Sequence, residues 1–126
     1  MMIITLCFFL KSCLNEENAS NDFLIKVDSI HVADTIASAV QFDIEFFGTI
    51  GYNGCNSFKT FNQTIYDKNI AIGAWGTYEN KNGTCPAMMV SLDGQKLRIT
   101  IPLAGIYNII ILEPDNSSIV RTIVVN

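Results

Sequence analysis

The chain has 126 residues and a mass of 14.0 kDa, which is the length of one domain. Hydrophobic residues make up 49% of it and charged residues only 16%, so it can build a core and is not intrinsically disordered. The formal net charge is -4, and this argues against the basic surface that nucleic-acid binding requires. No nucleic-acid partner is predicted.

The N-terminal segment reads as an export signal. Its first ten residues contain one polar side chain, Thr5, as in the apolar part of a secretion signal, and they are fewer than the ~20 that a membrane-spanning helix needs. Leu10-Lys11-Ser12-Cys13 resembles the bacterial lipobox, in which the cysteine is acylated after cleavage. This resemblance implies a signal segment over 1–12, lipidation of Cys13 and a durable anchor in the lipid bilayer. The alternative is an apolar terminal segment or core strand with an ordinary thiol.

Residues 13–22 are polar and acidic and predict a tether between the anchor and a domain at 23–126. Glu16-Glu17 resemble the surface-display signal of Bacteroidota lipoproteins, although an ordinary solvated tether fits equally well. The predicted location is the cell envelope, at the outer membrane, on a face that the sequence does not choose. Asp28-Ser29-Ile30 and Asp34-Thr35-Ile36 resemble O-glycosylation sites of the same bacteria, which implies modification of Ser29 and Thr35.

The rest of the chain predicts strands separated by turns. Ser38–Ile50 is the clearest strand, because apolar Val40, Phe42 and Ile44 alternate with polar side chains. A short helical turn is expected at Met88–Leu92, and Asp93-Gly94 is expected to close a hairpin. About seven short strands predict an all-β, antiparallel β-sandwich. The other predicted strands are Leu24–Val32, Ser57–Tyr66, Asn69–Trp75, Leu97–Ile101, Ile106–Glu113 and Ile119–Val125.

Two family resemblances refine this picture. The segment from Pro102 through Gly105, Tyr107 and Ile109, followed by a valine-rich final strand, resembles the end of bacterial immunoglobulin-like sandwich domains. A weaker resemblance is to the META domain of heat-shock-linked lipoproteins. It rests on Gly54-Cys-Asn-Ser-Phe58, Ile72-Gly73 and Cys85-Pro86, and it implies a following helix, a terminal hairpin and a role in envelope stress.

Cys55 and Cys85 are the two cysteines of the predicted exported domain, and an even pair in an oxidising compartment predicts a disulfide. The alternative is two free buried thiols. A metal site is not predicted, because no second cysteine or histidine lies near either one. Redox catalysis is not predicted without a Cys-x-x-Cys motif.

Catalytic equipment is sparse. His31 is the only imidazole, and no motif marks a serine or cysteine nucleophile. Asp43 and Glu45 share one strand face about 7 Å apart, a spacing that also fits an ordinary solvated face. We therefore predict no catalytic residue, no cofactor and no enzymatic activity.

Exposed aromatic residues offer the remaining functional signal. Tyr52 and Tyr78 lie in or near turns and are candidate ligand contacts, whereas Trp75 is expected mainly in the core or against the disulfide. The predicted function is a membrane-anchored, non-enzymatic binding or adhesion module for an envelope protein or glycan. The alternative is a structural or assembly subunit of an envelope complex, joined through an edge strand.

Overall fold

A computed structural model describes residues 21–80 and 83–126, and these residues form strands and turns with no helix. The prediction of an all-β sandwich is confirmed, with nine strands where about seven were expected. None of the described residues belongs to a helix long and apolar enough to cross a membrane. The strands are β1 Asn21–Leu24, β2 Ser29–His31, β3 Thr35–Ile36, β4 Phe42–Gly51, β5 Asn56–Tyr66, β6 Asn69–Tyr78, β7 Val90–Ile99, β8 Gly105–Leu112 and β9 Ser118–Val125.

The strands form a six-stranded sheet and a three-stranded sheet. In the larger sheet β5 lies along one side of β6, while β1 and β8 share its other side and β9 and β3 follow. The smaller sheet has the order β2-β4-β7. Most pairings are antiparallel, as predicted, but β6 with β8 and β3 with β9 are parallel.

The core lies between the sheets and follows the alternation of the strands. On β4, Ile44 and Phe46 are fully buried, and on β6 the same is true of Ile70, Ile72 and Ala74. Successive strand residues point to opposite faces, so Asn69, Ala71, Trp75 and Thr77 of β6 lie on the outside of the larger sheet. Burial of each large core side chain stabilises the fold by roughly 1.5–3 kcal/mol at most.

The predicted strand Leu24–Val32 is divided between the two sheets. Its first part, β1, pairs with β6, and its second part, β2, pairs with β4. At the crossing the backbone N–H of Val27 donates a hydrogen bond of 2.8 Å to Oε1 of Glu113. Glu113 is the one buried polar or charged residue among those described, and its buried carboxylate replaces the strand partner that the crossing removes.

Glu113→Ala is expected to lower the free energy of unfolding by about 1–3 kcal/mol, because the buried Val27 N–H would lose its acceptor. Glu113→Gln keeps an oxygen acceptor and is the matched variant, with a smaller loss. Urea unfolding of both variants measures the difference. Equal stability of the alanine variant and the parent would contradict this role.

The predicted strand Leu97–Ile101 begins seven residues too late, because β7 starts at Val90. Three further details of the sequence prediction are wrong. The start of Ser38–Ile50 is a turn, in which Ala39 has a φ of 61°, and the strand begins at Phe42. Met88–Leu92 forms no helical turn, because β7 already begins at Val90. Asp93-Gly94 closes no hairpin but lies inside β7, where the register shifts opposite Phe46 and Phe47 and Gly94 has a φ of 79°. A glycine with positive φ suits a β-bulge as well as a turn.

The META resemblance implies a helix after Cys85-Pro86, and the structure has none there: 87–89 are irregular and β7 follows. The predicted disulfide is confirmed, since Cys55 is bonded to Cys85. It joins the loop 52–55 to the segment 83–89, together with a hydrogen bond of 2.8 Å from the Gly54 N–H to the Pro86 carbonyl. The loops 52–55 and 83–89 lie at one end of the sandwich, and β1 also starts there, opposite Tyr78. We call it the proximal end, because the N-terminal segment enters the domain there.

Candidate ligand-binding face

The predicted site residues lie in different parts of the molecule. Tyr52 is 76% exposed and borders a hollow with Lys26 and Asp28. The Tyr78 hydroxyl lies 3.3 Å from Sγ of Cys85, so this side chain packs on the disulfide. Ser29 and Thr35 are exposed, and their glycosylation stays a prediction. Cys13 and the signal and tether residues before Asn21 lie outside the described residues.

Trp75 is not a core residue, contrary to the interpretation that the sequence favoured. On β6 the core-facing positions are Ile70, Ile72 and Ala74, so Trp75 projects from the opposite face of the larger sheet. A Cβ atom at Gly73 would lie 3.2 Å from Trp75 Nε1 and 3.1 Å from a methyl of Leu24. The indole therefore leans along the strand over a position that has no side chain, and a methyl of Leu24 reaches the same position.

Two hollows border the indole on the outer face of this sheet. One has a volume of about 110 Å³ and lies toward Leu112, and the other, of about 390 Å³, lies toward Lys59. We call this surface the Trp75 face. Apart from Trp75 it is lined by Asp22, Leu24, Lys59, Thr60, Phe61, Asn62, Thr64, Ala71, Gly73 and Leu112.

Polar groups stand beside the aromatic ring. Thr60 and Asn62 lie opposite Trp75 and Gly73 in the β5–β6 register, on the same side of the sheet. Hydroxyl and amide groups both donate and accept hydrogen bonds, so they suit a neutral polyhydroxylated ligand. The arrangement combines a flat apolar ring with adaptable polar groups on one open surface.

A charged pair closes one side of the Trp75 face. Lys59 donates to a carboxylate oxygen of Asp22, and this hydrogen bond, with a further one from Thr77, lowers the pKa of Asp22 below its usual value of 3.8. Because the folded-state pKa is depressed, the pair is intact above the ordinary carboxyl range and is lost as the pH falls through the lowered value. Near neutral pH the face therefore carries this ion pair in its charged form.

The outer surface of β8 and β9 is apolar and open. In the continuous apolar run Ile109–Leu112 only Ile109 and Ile111 are buried, and Leu112 is 44% exposed. Ile106 lies opposite Val124 in the register, and these side chains are 64% and 40% exposed. Beside this apolar pair, Thr122 donates a hydrogen bond of 2.9 Å to the Asn108 side-chain oxygen.

Asp43 and Glu45, the two carboxylates considered for catalysis, lie on the smaller sheet, and each has a basic partner. Asp43 accepts a hydrogen bond of 3.0 Å from Nε of Arg98, which lowers the pKa of Asp43. Glu45 lies 3.9 Å from Nδ1 of His31, whose side chain is 80% exposed. Each carboxylate thus has its own basic neighbour, which is the arrangement of a solvated strand face.

No protein-family model matches the chain, and neither does any curated protein or solved structure.

Proposed function

We propose that the protein is an envelope lipoprotein, anchored through acylated Cys13, that binds a glycan on the Trp75 face and catalyses no reaction. The observation that carries the proposal is the display of Trp75 on the outside of the larger sheet, over Gly73 and between two hollows. An aromatic residue without a core role on an open surface is a common anchor for a ligand.

The side chains on the Trp75 face indicate which class of ligand it would bind. The indole offers a flat apolar surface to the C–H face of a sugar ring, while Thr60, Asn62 and Thr64 supply neutral hydrogen-bonding groups for its hydroxyls. The formal charge of -4 gives no general attraction for anionic polymers. Neutral or weakly charged envelope polysaccharides therefore fit best.

Trp75→Ala is expected to weaken glycan binding by roughly 30-fold, which corresponds to a loss of about 2 kcal/mol for a central aromatic contact. Trp75→Phe keeps an aromatic ring and should lose less. Affinity is measured by calorimetry with the polysaccharide selected from a glycan array.

Tyr66→Ala is the matched control for this experiment. Tyr66 is also aromatic, is 51% exposed and lies on the same sheet face at the far end of β5, where it lines neither hollow. We expect the Tyr66→Ala variant to bind the glycan with the same affinity as the parent. An equal loss in both variants, or unchanged affinity in Trp75→Ala with thermal unfolding preserved, would contradict the site.

A second function is favoured by a separate observation, the apolar outer surface of β8 and β9. Ile106, Val120 and Val124 are each at least 40% exposed, and such a surface suits a protein partner in an envelope complex. Sedimentation with a pull-down from native membranes separates the two functions. A stoichiometric complex that Val120→Lys disrupts would favour the assembly subunit over the glycan binder.

A further inference from the structure

We propose that the proximal end of the sandwich, the loops 52–55 and 83–89, docks on the surface of the bilayer that holds the acylated Cys13. This inference rests on the anchor in the proposed function and is independent of the glycan site. Its occupant is a lipid surface, and the side chains that enter the headgroup region are Tyr52, Met88 and Met89.

The position of β1 determines which end faces the membrane. Strand β1 begins at Asn21 and pairs with Tyr78 at the proximal end. From Cys13 to Asn21 there are eight Cα–Cα steps, which span at most about 29 Å at ~3.6 Å each. The ten residues of β6 span about 30 Å between the two ends of the sandwich, so the far end is one full strand length further from the point of attachment.

The side chains at the proximal end suit a lipid headgroup region. Tyr52 is 76% exposed, and Met88 and Met89 are 54% and 61% exposed. Gly51 pairs with Val90, so Tyr52 and Met89 continue from neighbouring strand ends. Tyrosine is enriched at membrane interfaces because its ring is apolar and its hydroxyl is polar, and methionine adapts to irregular apolar surroundings.

The two docking loops themselves are uncharged. The described residues of the loops 52–55 and 83–89 include no charged side chain, and the charged residues Glu79, beside Cys55, and Lys26 and Asp28, beside Tyr52, lie next to the loops and not in them. The opposite end also exposes apolar side chains, including Tyr66 and Leu103, but its β5–β6 turn carries Asp67 and Lys68.

The disulfide makes the two loops one docking unit. Cys55 follows Tyr52 by three residues, and Cys85 precedes Met88 by three, so the bond holds the exposed apolar side chains at the same end. A short tether keeps this end at a high effective concentration beside the bilayer, and weak insertion of three side chains is then sufficient. Docking in this way leaves the Trp75 face on the side of the domain, open to a ligand.

The test uses the full lipidated chain on vesicles of phosphatidylcholine and phosphatidylglycerol with brominated acyl chains, which quench indole fluorescence at short range. Two variants each carry one tryptophan: Tyr52→Trp with Trp75→Phe, and Tyr66→Trp with Trp75→Phe. We expect the indole at position 52 to lose roughly half of its fluorescence at the interface, and the indole at position 66 to lose almost none. Adding Met88→Asp and Met89→Asp should restore the emission at position 52.

Three outcomes would overturn the inference. Protein that does not bind the vesicles refutes the anchor and, with it, the docking. Protein that is bound through its lipid but shows equal quenching at both positions refutes the docking alone and leaves the anchor standing. Quenching at position 52 that survives the two aspartate substitutions refutes the role of these loops.

Discussion

Phe46→Ala is expected to lower the free energy of unfolding by about 3–5 kcal/mol, because the ring is fully buried and its removal leaves a cavity between the sheets. The ring centroid lies 4.6 Å from that of Phe61, so the substitution also removes a contact between β4 and β5. Such a loss is a large share of the stability of a domain of this size. Chemical denaturation followed by circular dichroism measures it.

Ile106→Ala is the matched control for the core substitution. Ile106 is also a large apolar residue in a strand, but it is 64% exposed, and its truncation should change the stability by only about 0.5 kcal/mol. A similar loss in both variants would mean that the outer surface of β8 is covered in solution. A loss below 1 kcal/mol for Phe46→Ala would contradict the arrangement of the two sheets.

Removal of the disulfide by Cys55→Ala with Cys85→Ala is expected to lower the free energy of unfolding by about 3–4 kcal/mol. The bond joins residues 30 apart in the sequence, and the loss follows from the extra freedom of the unfolded chain. The two cysteines are partly exposed, so loss of packing is secondary. Thermal unfolding of the double variant, compared with the parent before and after reduction, gives the size of the effect.

The single variants act as internal controls for the disulfide. Cys55→Ala and Cys85→Ala should each be as unstable as the double variant, because either one removes the cross-link. If the parent keeps its melting temperature under strong reductant while the variants lose theirs, then side-chain packing, and not the cross-link, stabilises the proximal end. That result would contradict the explanation from loop entropy.

Local alternation predicted most of the fold. The pattern of β4 set its buried face from Ile44 onward, and the turn residues between β5 and β6 and between β8 and β9 marked real breaks. The division of 24–32 between two sheets left one signal in the sequence, because Val27 and Ile30 are three residues apart and would point to opposite faces of a single strand. This shift does not say with which strands the two parts pair. The buried Glu113, whose carboxylate accepts the hydrogen bond of the Val27 N–H at this crossing, lies 86 residues away from Val27 in the chain.

The candidate face was only partly visible in the sequence. Trp75 stood out as the single tryptophan, but its side of the strand depends on the register of the whole of β6. Gly73, two residues before it, was the available signal, because positions i and i+2 share a face and a glycine leaves space for the indole. The groups supplied by β5 became neighbours only through strand pairing.

The division of the N-terminal segment between the sheets also has a mechanical consequence. Strand β1 starts at the proximal end, whereas β9 ends at the opposite end, beside Gly105. If the proposed anchor at Cys13 holds the chain and a ligand on the Trp75 face is pulled away from the membrane, the tension would enter through the N-terminal end of β1 and run along the strand axes. The hydrogen bonds of β1 to β6 are then loaded together in shear and do not open one after another. In the proposed anchored glycan binder, this geometry would resist unfolding while the bound ligand is under tension.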